Sequence, residues 1–141
     1  MQYLAGKHAD SRQSYELAVK LAPRAVEPLE GLLLPLLAQA NYAEATAIAR
    51  QAVQLDANNY YARLRLAFSL RKQEQYAEAE KCNDLMLRRY PTDVSFLLEQ
   101  ALTFTGQKRA DEAARLYREV QLLSPDNATA KAALARQPPS P

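Results

Sequence analysis

A 34-residue period runs through this chain, and a period of that length obliges each copy to adopt the same local structure as its neighbours. Pro91 and Pro125 stand 34 positions apart, and Pro23 lies two periods before Pro91. The intermediate position holds Ala57, inside the turn-forming run Asp56-Ala57-Asn58-Asn59. Two adjacent columns keep the register: the acids Asp10, Glu44, Glu78 and Glu112, then the small residues Ser11, Ala45, Ala79 and Ala113. A further column, Asn59, Asp93 and Asn127, falls two residues after the prolines and directly before an apolar pattern of helical spacing. Side-chain oxygens there can accept from the free amides of a first helical turn, so these three are predicted N-caps.

Within a period the apolar residues form two helical blocks, for example Leu64, Leu66, Ala67 and Leu70, then Tyr76, Ala79, Cys82, Met86 and Leu87. Each copy is therefore predicted to be a helical hairpin. With three Gly, no Trp and few β-branched residues among frequent Ala, Leu, Gln, Glu and Arg, composition agrees on an all-α class. The small column, with Ala67 and Ala101 in the first helices, should let helices approach closely, and Phe104 and Tyr117 should fill the gaps between hairpins.

The pattern resembles the tetratricopeptide repeat family, on Leu66-Ala67, Leu70, Tyr76, Ala79 and Pro91 in one copy and Ala101, Phe104, Ala113, Tyr117 and Pro125 in the next. The chain departs from that family in having no Trp, no Gly after the Leu, and no aromatic at Ala49 or Asn83. The resemblance implies an α-solenoid, a right-handed superhelix of stacked antiparallel hairpins, as one array over residues 1–136. Full repeats fall at 26–59, 60–93 and 94–127. Residues 1–25 read as a lone second helix, suggesting a piece of a longer protein; 128–136 read as a capping helix and 137–141 as a disordered proline-rich tail. Pro28 to Gln39 holds six leucines around Pro35, which removes a backbone donor and should bend a buried helix.

Nothing in the chain assembles chemistry, and no enzymatic activity or cofactor is expected. His8, the single histidine, falls where later copies have Tyr42 and Tyr76, so a packing role is expected of that column. There is no phosphate-binding glycine loop and no metal-ligand spacing. The acidic column has its members a full repeat apart, which suits a solvated edge near helix starts. Asn127-Ala128-Thr129 fits a glycosylation sequon, but the asparagine is already explained as a cap. Cys82, the one cysteine, excludes an internal disulfide and is expected to be an inert helix residue; it leans to a reducing compartment, with the periplasm open if the chain is excised from a longer one.

Eighteen basic against sixteen acidic residues leave a formal charge of +2 with the signs interspersed. The best basic cluster, Arg63, Arg65, Arg71 and Lys72, is interrupted by Leu and Phe, so nucleic acid is not the expected partner. No run approaches the roughly 18 apolar residues that span a bilayer, so membrane insertion is not expected.

What remains is recognition of another protein or peptide. In the family that this chain resembles, first helices line a concave surface. Residues spaced by three and four on that side are Glu27, Glu30, Leu34 and Leu37, then Tyr61, Leu64, Phe68 and Arg71, then Ser95, Leu98, Leu102 and Thr105. Leu34, Phe68 and Leu102 form a predicted exposed apolar row, flanked by Leu64 and Leu98. Tyr61, Arg65, Phe68 and Lys72 make an aromatic and basic ledge suited to a carboxylate beside an apolar group, while Glu27, Glu30 and Glu99 would orient the guest. So apolar a floor suits an amphipathic helix better than an extended peptide. The family's clamp for peptide C-termini needs Lys and Asn where this chain has Glu30, Leu64, Leu98, Leu34, Phe68 and Leu102, so that binding mode is not expected. The function read from the sequence is a protein-binding scaffold, a fragment of a larger bacterial assembly or secretion factor. A self-associating structural segment, forming a homo-oligomer, and a substrate-recruiting arm of an enzyme are the alternatives.

Overall fold

The computed structural model describes residues 2–22 and 25–136, with side chains for 12–22, 25 and 27–136. They form α1 (Gln2–Leu21), α2 (Val26–Ala38), α3 (Tyr42–Leu55), α4 (Tyr60–Lys72), α5 (Tyr76–Arg89), α6 (Val94–Gly106), α7 (Ala110–Leu123) and α8 (Ala128–Ala135), with no strand among the described residues. The starts at 26, 60, 94 and 128, and at 42, 76 and 110, keep the 34-residue period. The all-α class is as expected. The side chains of His8, Asp10 and Ser11, the position of Pro23 and the tail at 137–141 lie outside the described residues.

The predicted caps form. Asn59, Asp93 and Asn127 accept from the amides of Ala62, Phe96 and Ala130, each at 3.0 Å. Reversal between first and second helices follows a rule that the sequence does not announce: Ala40, Glu74 and Lys108, again 34 apart, take φ of 55°, 60° and 61°. After α2 and α6 the reversal is a Schellman motif. Asn41 N–H bonds Leu36 carbonyl at 2.8 Å and Ala40 N–H bonds Leu37 carbonyl at 3.0 Å; Arg109 to Phe104 and Lys108 to Thr105 repeat this at 2.8 and 3.0 Å. None of the three left-handed residues is glycine, so each carries backbone strain.

Contacts within the chain divide it into two compact units, residues 1–73 and 74–141. In the first, α2 packs between α1 and α3, and α4 packs on α3 and touches α2. Leu29, Leu32, Leu33 and Leu36 of α2 are buried, and α3 contributes the buried small stripe Ala45, Ala49 and Ala52, with Thr46 beside it and Ile48 and Val53 partly buried. That stripe lets its neighbours approach closely, and Ala52 meets Leu29 and Ala62. α2 runs unbroken through buried Pro35 to Ala38, and Gln39 N–H bonds the Pro35 carbonyl at 3.0 Å. The ring of Tyr15 lies so close to Gly31 that a Cβ there would fall 2.1 Å from it, which fixes how near α1 comes to α2.

In the second unit α6 packs between α5 and α7, and α8 closes on α7. Leu97, Ala101, Phe104, Ala113, Tyr117, Val120 and Ala130 form the core, with Phe104 and Tyr117 its large aromatic members and Ala130 bringing α8 onto it. Where the aromatic is missing at Asn83, the helices bury a polar chain instead. Asn83 Nδ2 donates to Gln100 Oε1 at 3.0 Å, and Gln100 Nε2 donates to Asp84 Oδ1 at 2.7 Å. Thr103 Oγ1 donates to the Glu99 carbonyl at 2.7 Å. Cys82 lies on α5, half-buried.

Candidate functional site

Nine of the predicted partner-binding residues fall on α2 and α4 of the first unit. Two devices seat these helices. Asn59, the cap of α4, donates its amide to the Glu30 carboxylate on α2. At the other end of α4, Gln73 Nε2 donates to the Tyr42 carbonyl at 3.2 Å and to Thr46 Oγ1 at 2.6 Å, tying the helix end to α3. Glu27 is exposed, Leu34 is 56% exposed and Tyr61 60% exposed, while Leu64, Arg65, Phe68 and Arg71 are half-buried and Lys72 is exposed.

The ledge on α4 is assembled by stacking of cations on rings. The Arg65 guanidinium lies 5.5 Å from the Tyr61 ring centre. Arg71 and Lys72 lie 5.2 and 5.7 Å from that of Phe68, which also meets Tyr42 edge-on at 6.0 Å. Such contacts are worth about 0.5–1 kcal/mol each at exposed sites. They follow from helical spacing, since Tyr61 to Arg65 and Phe68 to Lys72 are four apart and Phe68 to Arg71 three. The repeat-column Tyr42 thus packs as expected, and Tyr76 likewise packs on Gly106 of the second unit.

Three expectations need correction. Leu98 and Leu102 of α6 are half-buried and pack against the core of the second unit, so they are not free members of an exposed row. Phe68 is half-buried by its own cations and Tyr42, which leaves Leu34 as the well-exposed member of the row. Glu99, expected to orient a guest, is buried on α6, and Glu30 is already engaged by Asn59; Glu27 remains as the exposed acid on α2.

Sequence reasoning missed a groove of about 320 Å³ between α1 and α3, floored by Leu32 and walled by Val19 and Ile48 with Glu16 and Lys20 at its edge. Its residues are spread over three helices, and no single-helix pattern signals it. Also unforeseen is Arg109 in the second unit. Its guanidinium sits 4.1 Å from the Phe104 ring centre and bonds Glu112 at 2.6 Å and Glu80 at 2.9 Å. The hydrogen bonds to Glu112 and Glu80 hold the Arg109 pKa above its ordinary value, against burial, and the same guanidinium lowers that of Glu112. Arg12 ties Glu16 to Glu44 in the first unit at 2.7 and 2.5 Å. Two members of the acidic column, Glu44 and Glu112, are therefore exposed and paired with arginines. Among the described residues no cluster of three His, Cys, Asp or Glu could hold a metal, and no helix is long and apolar enough to cross a membrane.

The tetratricopeptide repeat family model matches residues 36–102. Among solved structures, MamA 41-end from Desulfovibrio magneticus RS-1 superposes with a TM-score of 0.83 at 18% identity, covering 92% of this chain and 73% of that one. The Arabidopsis OM64 TPR domain gives 0.74 at 21%, covering 79% and 93%. The second TPR domain of human RPAP3, in complex with an HSP70 peptide, gives 0.69 at 19%, covering 77% and 90%. At these identities the likeness is one of fold.

Proposed function

Because the chain is a member of the tetratricopeptide repeat family, we propose that it is a protein-interaction scaffold that holds a protein or peptide on the α2–α4 face. The observation that carries this reading is the pairing of exposed apolar and aromatic groups, Leu34 and Tyr61, with cations already stacked on rings beside them. Leu34 on α2 and Tyr61 on α4 are 56% and 60% exposed on two helices that touch, and large apolar groups left in solvent on adjoining helices favour a partner surface. That a relative in fold, the RPAP3 domain, holds a peptide supports the reading. The setting that we propose is a larger bacterial assembly or secretion factor of which this array is one segment.

The test is a pull-down from host lysate with the wild type and a Leu34→Glu, Tyr61→Glu variant. Both positions are solvent-exposed, so circular dichroism should show the same helicity in each. A protein retained by the wild type and lost by the variant supports the face; one retained equally by both rejects it. Self-association is the second reading, favoured by Leu122 at 84% and Leu123 at 47% exposure on α7. Light scattering across a concentration range reports it directly, and a mass that stays monomeric removes it.

A further inference from the structure

Resting on the α2–α4 face as the recognition surface, we propose that its partner is an acidic amphipathic helix. Two of its carboxylates, one on each side of an apolar anchor, would meet Arg65 and Lys72. α4 carries four basic residues and no acid, while α2 carries Glu27 and Glu30 and no base. Arg63 is turned back to the Ala57 carbonyl at 2.5 Å, and Glu30 is taken up by Asn59. Arg65 and Lys72 make no ion pair among the described residues; their contacts are with the rings of Tyr61 and Phe68.

A guanidinium lying over a ring keeps its N–H donors in its own plane, at the edge, where a carboxylate can take two of them. Stacking also restrains the side chain before binding, which reduces the entropy lost when the contact forms. The spacing then selects the guest. Arg65 and Lys72 are seven residues apart on α4, which is about 10 Å along the axis, with Phe68 between them. A helix lying along α4 presents residues i, i+3 or i+4, and i+7 on one stripe, so acids at i and i+7 with a large apolar residue between them match the ledge. Leu34 and Leu64 widen the apolar floor beyond what a single extended strand would cover. Glu27, exposed on α2, repels an acid on that side and so fixes which flank of the guest faces α4; it opposes a phosphate backbone for the same reason.

The experiment is a fluorescence-anisotropy titration of the full chain with a labelled helical peptide of about four turns. It carries Glu at two positions seven apart and Leu three residues after the first, and its companion has both Glu replaced by Gln. At low ionic strength the Glu peptide should bind about tenfold more tightly, two exposed charge pairs acting together. In an Arg65→Gln, Lys72→Gln variant of unchanged helicity the difference should fall within about twofold. Equal affinities for the two peptides, a preference that survives in the variant, or no binding of either peptide each overturns the proposal. So does displacement of the Glu peptide by an equal concentration of single-stranded oligonucleotide. The face itself stands or falls separately, by whether Leu34→Glu, Tyr61→Glu releases the lysate partner.

Discussion

Asn83 stands where the repeat pattern has an aromatic ring, and its burial shows how one residue redirects the packing around it. A polar side chain buried between successive hairpins needs hydrogen bonds, and Gln100 accepts one from the Asn83 amide while passing its own amide proton to Asp84, although Asn83 Oδ1 is left without a partner. Asp84 bears the consequence. Burial first, and then repulsion from Glu80, raise its pKa above the ordinary 3.8, although Arg88 and the Gln100 bond oppose the shift. A raised native pKa means that the folded state binds this proton more readily than the unfolded state. Its contribution to stability is therefore full below the unfolded value and is lost as pH rises through the native one. Asp84→Asn should accordingly unfold at higher urea than the wild type at neutral pH, and the two midpoints should converge as pH falls towards 3.8. A gap that is constant with pH would sink this account.

At the scale of helices, the starts and the ends are specified by different means. The first helices α4, α6 and α8 begin on oxygen-bearing caps while α2 begins at Ala25 without one, and the turns into second helices pass through a left-handed residue that this chain fills with Ala, Glu or Lys. Because a Cβ in that conformation costs about 1–2 kcal/mol, a site that has kept Lys108 is not optimised for stability. Lys108→Gly should raise unfolding stability by about 1 kcal/mol, after the greater freedom of glycine in the unfolded chain is offset. Chemical denaturation is the measurement, and a neutral or destabilised variant would show that the φ of 61° carries no strain. The helix starts and the two-helix repeat were legible in advance, since caps and apolar spacing are local. The reversals were not, because the usual glycine signal is absent at all three.

Taken as a whole, the chain is close to charge balance at +2, and several of its described cations have local partners. Arg12 and Arg109 serve paired acids, and Arg65 and Lys72 lie on rings. Such a surface lacks the continuous basic stripe that condenses on phosphates, so affinity for a single-stranded oligonucleotide at physiological salt should be weaker than about 100 μM. Anisotropy with a labelled oligonucleotide checks this, and tighter, salt-sensitive binding would reverse the reading of α4. The candidate face was legible only in part: Tyr61, Arg65, Phe68 and Lys72 assemble as their spacing on one helix requires, whereas Leu98, Leu102 and Glu99 have the same helical register but different surroundings.

By itself the sequence determined the 34-residue hairpin period, because the same residue types recur at that spacing, and the all-α class, the caps and the ledge along α4, because these depend on residues within about two helical turns of one another. Tertiary structure decided which members of a periodic row stay in solvent, the polar chain that replaces an aromatic at Asn83, and the groove between α1 and α3. Those outcomes depend on the size and polarity of side chains brought from other helices, and a repeat frame does not encode how far each neighbour reaches.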